Sequence, residues 1–180
     1  MLLEEKNAVV YGAGGAVGRA VARSFGREGA SVFLAGRALA PLEVVAGEIT
    51  AAGGAAEVAG VDALDEEAVN RHADAVVERA GSIDVSFNAI SLGDVQGTPL
   101  LEMPLSDFSR PIITGTTTHL LTARAAARHS DRGQRHLRLG RRLLDTSRMS
   151  RYRIGLDLDP FGRAGLTPSC VASLCEARRP

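Results

Sequence analysis

A glycine-rich turn lies near the start of the chain, in the stretch NAVVYGAGGAVGRAVARSF of residues 7–25. Apolar and β-branched residues precede the glycines and helical spacing follows them, which predicts a strand, a tight turn and a helix. In such a turn backbone N–H groups can approach a phosphate, and the helix N-terminus adds its positive partial charge. Gly12 would make the turn, Gly15 would admit a pyrophosphate, and Gly18 would let helix and strand pack closely. The alternative is a plain strand-to-helix turn.

The residues at positions 19 and 37 restrict the class of ligand that the glycine turn could bind. A P-loop is excluded because Gly18 is followed by Arg19, where that motif has lysine and then serine or threonine. A methyl-donor or NAD site usually has an acidic residue at the end of the second strand, but the stretch LAGR has Gly36 and Arg37 there. The Arg37 guanidinium could bind a 2′-phosphate, which favours NADP(H) over NAD(H). The alternative is that Arg37 only ends a strand in solvent.

The elements that would position these residues alternate regularly. Apolar runs predict strands over Ala8–Gly12, Ser31–Gly36, Ala56–Asp62 and Ile83–Ile90. Helical patterns cover Ala16–Glu28 and Ala40–Ala52, follow a cap at Asp65, and begin again near Asp107, where Pro111 requires the regular helix to start or bend. This alternation implies parallel strands joined by right-handed crossovers. The expected fold class is α/β, a Rossmann-type doubly wound parallel sheet that is incomplete, with about four recognisable strands.

Composition excludes several classes of partner. The 180 residues, 45% of them hydrophobic, suit one domain. The 21 basic and 21 acidic residues cancel, so neither nucleic acid nor an anionic membrane is expected as a partner, and we expect a small-molecule substrate. The opening MLLEEKNAVV resembles neither a signal peptide nor a membrane span, which favours the cytoplasm. Cys170 and Cys175 lack the spacing of a zinc site, so we expect free thiols and no metal.

Three segments, in this order, resemble motifs of the short-chain dehydrogenases/reductases: YGAGGAVG their glycine motif, GVDALDEEAV their adenine-contacting segment, and IDVSFNAI their Asn-Asn-Ala-Gly segment. The resemblance covers roughly residues 1–128 and implies an NAD(P)(H)-dependent oxidoreductase acting on a small alcohol or ketone. It also implies cofactor contacts, to the pyrophosphate from Gly12, Gly15, Ala16, Val17 and Gly18, to the adenosine phosphate from Arg37, to the adenine from Asp62 and Ala63, and near the nicotinamide ribose from Asn88 and Ala89. The residues alone also fit a strand-end turn at Asp62 and a local backbone cap at Asn88.

The chain departs from the family's pattern at several positions. Ala16 replaces the middle glycine of the commonest glycine motif, and Phe87 and Ile90 replace an asparagine and a glycine of the fourth-strand motif. Ile112, three residues before Gly115, stands where the family often has a catalytic asparagine. One element of the family's proton relay is therefore absent or replaced.

The family's acid catalyst is missing as well. The resemblance implies a tyrosine whose pKa is lowered by a lysine four positions later, with a serine that polarises the substrate carbonyl. The single lysine, Lys6, precedes the first strand, Tyr152 is followed four positions later by Leu156, and Tyr11 is expected in the cofactor loop. No catalytic residue is therefore assigned. The remaining candidates are interpreted as loop serines or as surface or helix histidines: Ser147, Ser150, His72, His119, His129 and His136.

The final third of the chain differs in charge and pattern. Residues 129–180 contain eleven arginines and five acidic residues, whereas residues 1–128 contain ten basic and sixteen acidic residues. A basic arm for nucleic acid is one interpretation, and a poorly packed tail is favoured because aromatic residues are few and no recognition motif appears. A slipped reading frame near His129 would explain the change. With suitable codons, a one-base shift over Asp131–Gly140 encodes IEGSGIFALG, which looks like the fifth strand that this fold needs.

Two functions therefore stay open: an NADP(H)-dependent oxidoreductase present in an incomplete form, and a dinucleotide-binding module without turnover. They share the cofactor domain of residues 1–128 and differ in the missing tyrosine and lysine. Substrate, direction of reaction and oligomeric state are open too, although a long, exposed fourth helix commonly forms the dimer face in families that the chain resembles, which raises a homo-oligomer as a partner.

Overall fold

The fold is given by a computed structural model, which describes residues 1–129 and the backbone of residues 173–174. The strands are β1 (Asn7–Tyr11), β2 (Ser31–Gly36), β3 (Ala55–Gly60), β4 (Val85–Asn88) and β5 (Ser173–Leu174). The helices are α1 (Ala16–Arg27), α2 (Leu39–Ala51), α3 (Glu66–Ala80) and α4 (Leu105–Arg128), with a short 3₁₀ turn at Leu100–Glu102. The expected α/β class is confirmed. The predicted tail of residues 129–180 lies outside the described residues, apart from residues 129 and 173–174.

The sheet has the order β3-β2-β1-β4-β5, and its first four strands are parallel. Each crossover between parallel strands is a helix, so the carboxyl ends of β1 to β4 lie at one edge of the sheet. The strand order reverses direction after β3, which returns the chain to the other side of β1. In doubly wound sheets a ligand binds in the crevice at this reversal, outside the carboxyl ends of the strands.

The sheet has one strand more than the four that the sequence predicts, and the added strand lies beside β4. A four-stranded sheet would leave the whole of this apolar strand unpaired on one side. Instead β5 pairs with it in the antiparallel sense, placing Val85 opposite Leu174 and Ser86 opposite Ser173. Another segment of the chain therefore supplies backbone partners for these two residues of the strand edge. The described ladder stops before Phe87.

Two apolar layers cover the sheet, one on each face. Successive side chains of a strand point to opposite faces, so Val10 packs with the buried residues of α1 and α2, while Val9 packs with those of α3 and α4. The same alternation divides β2, whose Leu34 joins the first layer and Phe33 the second. Burial on both faces explains why these strands are continuous apolar runs in the sequence.

The fourth helix begins within two residues of the predicted start near Asp107. It starts at Leu105, and Pro111 lies inside it. Proline has no N–H to donate to the carbonyl of Asp107, four residues earlier, which is why the sequence predicted a start or bend there. Packing of the second half of α4 outweighs this local preference, since that half contributes the helix's buried side chains: Thr118, Leu121, Thr122 and Ala125.

Candidate functional site

The glycine turn follows β1 and is hydrogen-bonded to the carboxyl end of β2. Gly12 has φ +76°, a left-handed conformation that favours glycine, and its N–H donates to the Ala35 carbonyl at 2.8 Å. The Gly15 N–H then donates to the Gly12 carbonyl at 3.1 Å, which closes the turn. The chain enters α1 directly from this turn, so the N-terminus of α1 opens at the sheet edge where β1 ends.

Among residues 1–129, the first N–H groups of α1 have no hydrogen-bond acceptor. Gly15 occupies the cap position and has no side chain to accept a hydrogen bond, and the first turn contains no acidic residue. The helical bonds begin with Arg19, whose N–H donates to the Gly15 carbonyl at 2.8 Å. The N–H groups of Ala16, Val17 and Gly18 precede that bond and are the orphan donors of a helix start. Orphan donors and the helix dipole together favour an anion at this position.

Gly18 and Gly15 differ in the space around them, and this difference distinguishes a tightly packed position from an open one. A Cβ built on Gly18 would lie 2.3 Å from the Gly12 carbonyl oxygen, so only glycine lets α1 pack this closely on the turn. A Cβ on Gly15 would meet its nearest protein atom, the same oxygen, at 3.5 Å, which is ordinary contact. Folding therefore requires the glycine at position 18, whereas at position 15 the protein leaves room in front of the helix. The close packing predicted for Gly18 is seen in these distances, whereas the phosphate-binding role of Gly15 stays a prediction.

Two arginines near the turn differ in their partners. Arg19 binds Glu48 of α2 with both ends of its guanidinium, including an Nε to Oε2 distance of 3.0 Å, and thereby links α1 to α2. Arg37 directly follows β2 and is exposed. Within residues 1–129, no carboxylate lies within ion-pair distance of Arg37. Its guanidinium is therefore available to a ligand at the carboxyl edge of the sheet.

The predicted adenine contacts follow β3. Asp62 is exposed, and its Oδ1 accepts a hydrogen bond from the Leu64 N–H at 3.0 Å. This is the local strand-end turn that the sequence left open as the alternative, and it occupies one carboxylate oxygen only. The side chain of Ala63 is buried in the core layer beneath α3, so only its backbone can face a ligand.

The turn after β4 lies against the glycine turn. The Ala89 N–H donates to the Tyr11 carbonyl at 2.8 Å, and a Cβ on Gly12 would lie 2.6 Å from the Ala89 oxygen. The side chain of Asn88 caps its own turn, with Oδ1 accepting from the Ile90 N–H at 3.0 Å. The structure thus brings the predicted residues after β1 and β4 into contact. It also places Asn88 beside Thr122 of α4, a neighbour that sequence reasoning did not find because 34 residues separate them.

Tyr11 does not lie in the cofactor loop, contrary to the expectation from sequence. It is the last residue of β1 and almost fully buried, with its ring against the edge of His72 of α3 at a centroid distance of 5.7 Å. Burial raises the pKa of the Tyr11 phenol well above its usual range and lowers the pKa of His72 to about 4. Both rings are therefore neutral at pH 7. Strand alternation explains the correction, because position 11 faces the α3 layer.

No described residue replaces the missing acid catalyst. The Nζ of Lys6 lies 3.3 Å from Oδ1 of Asp84, at the amino ends of the strands and so at the edge opposite to the glycine turn. Ile112, at the family's asparagine position, is an exposed apolar residue of α4. Tyr152 and the predicted loop serines lie outside the described residues, as does His136. Of the other histidines, His119 is exposed and its Nδ1 lies 2.7 Å from the Gly115 oxygen.

Neither a metal-binding cluster nor a membrane-spanning helix occurs among the described residues. Residues 1–129 contain no cluster of three or more histidine, cysteine or acidic side chains that could hold a metal ion. None of the helices in this part of the chain combines the length and the apolar character that crossing a membrane demands.

Comparison with known proteins identifies the family. The short chain dehydrogenase family model matches residues 6–136, and the chain belongs to this family. The dinucleotide-type fold and the glycine turn described above are the features that this match covers. The chain is therefore a member of an oxidoreductase family.

The chain is similar to several curated relatives. It is 33% identical to the 1-deoxy-11-beta-hydroxypentalenate dehydrogenase of Streptomyces exfoliatus, over 99% of this chain and 62% of that protein. It is 37% identical to the L-rhamnose 1-dehydrogenase (NAD(P)(+)) of Azotobacter vinelandii, over 71% of this chain and 51% of that protein. The chain thus spans less than two thirds of the length of these relatives. The Streptomyces alignment continues beyond residue 136, where the family match ends.

Solved structures resemble the same part of the chain. A short-chain type dehydrogenase/reductase from Mycobacterium marinum is 37% identical, with a TM-score of 0.64 over 71% of this chain and 51% of that one. A metagenomic short-chain oxidoreductase, solved in complex with NADP, is 34% identical, with a TM-score of 0.64 over 71% of this chain and 57% of that one.

Proposed function

We propose that residues 1–129 form a dinucleotide site that prefers NADP(H) to NAD(H). The observation that carries this proposal is the N-terminus of α1, whose first N–H groups have no acceptor among residues 1–129, whose first turn has no acidic residue, and which has free space at Gly15. An anion is the ligand that such a helix start binds best. Arg37, exposed and without an ion-pair partner among residues 1–129, adds the positive charge that a 2′-phosphate would require.

The chain's residues divide among the parts of this ligand. The pyrophosphate binds the glycine turn and the first turn of α1, and the 2′-phosphate binds Arg37. Asp62 keeps one carboxylate oxygen free for the adenine, with the backbone of Ala63 beside it, and the turn of Asn88 and Ala89 lies near the nicotinamide ribose. The complete set of cofactor contacts is Gly12, Gly15, Ala16, Val17, Gly18, Arg37, Asp62, Ala63, Asn88 and Ala89.

The reaction that this site would serve is the interconversion of a small alcohol and a ketone. A bound nicotinamide dinucleotide supplies or accepts the hydride in such a reaction. The chain must then place a proton donor beside the carbonyl oxygen, and a positioned acid is worth about a hundredfold or more in rate. The only lysine, Lys6, lies at the opposite edge of the sheet, paired with Asp84. We therefore expect carbonyl reduction by this 180-residue form to be very weak or undetectable.

A second candidate function is a dinucleotide-binding module without turnover. The observation that favours it is the absence of any tyrosine followed four positions later by lysine in the sequence. The module would bind the same cofactor through the same residues and act as a sensor or a structural subunit. Fold and cofactor site do not separate it from the first candidate, because the two differ only in the acid catalyst.

A titration of the purified chain with NADPH and NADH, followed by hydride-transfer assays on a panel of small ketones, tests these proposals. NADPH binding at least about tenfold tighter than NADH binding, without turnover, is the expected result. Binding of neither dinucleotide contradicts the site. Rapid turnover contradicts the inactive form and shows that a residue beyond 129 supplies the acid.

A slipped reading frame would explain why the proposed cofactor half is joined to a remainder that lacks the family's tyrosine and lysine. We propose that the frame slips near His129, where arginine content rises abruptly and where the family match ends shortly afterwards, at residue 136. The Streptomyces alignment runs on through this segment, so the nucleotide sequence has to decide. A one-base shift after codon 129 should open a frame with an apolar strand and Tyr-x-x-x-Lys. If it opens no such frame, the proposal is wrong.

The proposed partner besides the small-molecule substrate is a second copy of the chain, in the cytoplasm. One side of α4 supports this, because large apolar residues stand exposed at helical spacing: Leu105, Phe108, Ile112, Ile113 and Leu120. Sedimentation at twice the monomer mass, reversed by Ile112→Glu, is the expected result. A monomer at all concentrations contradicts this assignment and leaves the cofactor site unaffected.

A further inference from the structure

The turn after β4 and the glycine turn cannot move independently. A Cβ on Gly12 would lie 2.6 Å from the Ala89 oxygen and 2.9 Å from the Ile90 nitrogen, so the two backbones already touch. The Ala89 N–H also donates to the Tyr11 carbonyl, one residue before Gly12. A displacement of the β4 turn is therefore transmitted to the glycine turn through backbone contact.

The side chain of Asn88 is held at both ends of its amide. Its Oδ1 accepts from the Ile90 N–H at 3.0 Å, and its Nδ2 donates to Oγ1 of Thr122 at 3.4 Å. The Thr122 hydroxyl donates its hydrogen within α4, to the Thr118 carbonyl at 2.8 Å. Since a hydroxyl has one hydrogen, the Thr122 oxygen can only accept from Asn88. This directs the NH₂ group of Asn88 to α4 and the amide oxygen to Ile90.

We propose that Thr122 is a positioning residue for the dinucleotide site. It acts through Asn88, whose orientation fixes the turn that packs on Gly12, and it touches no ligand itself. Thr122 is almost fully buried, which limits the access of water to its hydroxyl group. The inference rests on the proposed function, because the ligand whose nicotinamide half would lie at this turn is the one proposed there.

Thr122→Val tests the inference because it keeps the shape of the side chain and removes the hydroxyl. Thr118→Val is a matched control, since Thr118 is equally buried in α4 and its hydroxyl donates to the Thr114 carbonyl of its own helix at 2.8 Å. Thr122→Ser should restore the wild-type behaviour, because it keeps the oxygen. If Thr122→Val folds poorly, Thr122→Ala removes the same hydroxyl without a second methyl group.

The binding readout compares NADPH with adenosine 2′,5′-bisphosphate, which has no nicotinamide half. Thr122→Val should weaken NADPH binding by about 3- to 10-fold, the effect of losing one hydrogen bond, and weaken binding of the bisphosphate by less, because the bisphosphate reaches the glycine turn with one phosphate only. A merely structural role of Thr122 would weaken both ligands equally. Unchanged NADPH binding, an equal loss for both ligands, or an equal effect of Thr118→Val overturns the proposal.

A second readout needs no ligand and separates this inference from the proposed function. Hydrogen exchange of the Ile90 amide, measured by NMR, should accelerate about tenfold in Thr122→Val and stay unchanged in Thr118→Val. Unchanged exchange overturns the proposal whether or not NADPH binds. Accelerated exchange in a chain that binds neither dinucleotide contradicts the proposed function, and with it the role of Thr122 in that function, but leaves the contact with Asn88 established.

Discussion

The first and third helices begin in opposite ways. At α3, Oδ1 of Asp65 accepts from the N–H groups of Glu67 at 2.9 Å and Ala68 at 3.1 Å, and two glutamates occupy the first turn. At α1, Gly15 provides no cap, and the first turn has no acidic residue. Both helices follow parallel strands of the sheet, so both N-termini lie at its carboxyl edge.

The difference shows which N-terminus the protein satisfies by itself. A side-chain cap is worth about 1 kcal/mol to a helix, and acidic residues in the first turn add a few tenths each. The third helix has both contributions, so its Glu67 and Ala68 N–H groups are already bonded and its acidic first turn disfavours an anion. The first helix lacks both, and within residues 1–129 its first N–H groups have no acceptor and lie in front of a glycine with free space. The first three variants below change the glycine turn or Arg37, and the last one changes the cap of α3.

Gly15→Asp should have the largest effect on binding, because it gives α1 the kind of cap that α3 has. The new carboxylate would occupy the free N–H groups and repel a pyrophosphate, so NADPH binding should weaken at least about a hundredfold. Stability should stay equal or rise by a few tenths of a kcal/mol. Calorimetric titration and thermal unfolding measure the two quantities. Gly47→Asp, at a position with no atom within 4 Å of a built Cβ, controls for the added charge and should leave binding unchanged.

Gly18→Ala tests the structural half of the same turn. The new Cβ would meet the Gly12 oxygen at 2.3 Å, so backbone has to move, and overpacking of this kind costs about 3 kcal/mol of unfolding free energy. Binding of NADPH should fall with it, because the turn itself is displaced. Gly47→Ala provides the control in denaturant melts, and it should be neutral or stabilising. Wild-type stability in Gly18→Ala would show that the turn is looser than the contact distance indicates.

Arg37→Ala separates the two dinucleotides. Losing one charge-assisted contact should weaken NADPH binding by about 1 to 3 kcal/mol, and NADH binding should hardly change because NADH lacks the 2′-phosphate. Arg71→Ala, on exposed α3, removes the same charge elsewhere and should affect neither dinucleotide. An equal loss for NADPH and NADH in Arg37→Ala would contradict the assignment of Arg37 to the 2′-phosphate.

Asp65→Ala should have the smallest effect, and it changes the start of α3 instead of the start of α1. It removes the cap of α3 and should lower the free energy of unfolding by about 1 kcal/mol, while NADPH affinity stays unchanged. Asp65→Asn retains a capping oxygen and should recover most of the stability in the same denaturant melts. A loss of NADPH affinity in Asp65→Ala would mean that α3 takes part in the site after all.

Local signals made most of this architecture predictable. Buried strands are continuous apolar runs, so β2 has the predicted bounds, and β1 is displaced by a single residue. The cap at Asp65 and the glycine turn are equally local, because each depends on residues within a few positions of one another. The resemblance to the short-chain dehydrogenases/reductases then assigned three separate segments to one predicted cofactor site, which local signals alone do not do.

Contacts between distant segments were not predictable in the same way. The pairing of Asn88 with Thr122, the burial of Tyr11 against His72, and the ladder between β4 and Ser173–Leu174 all join residues far apart in the chain. No periodicity in the sequence contains this information.

The most direct test of the central claim follows backbone amides of the wild-type chain by NMR during a titration with NADPH. The account predicts large shifts of the Ala16 and Val17 amide signals, which belong to the open N-terminus of α1. The Glu67 and Ala68 amides, which already bind Asp65, should stay in place. Equal shifts at both helix starts, or shifts at α3 with none at α1, would contradict the claim that the uncapped helix is where the dinucleotide binds.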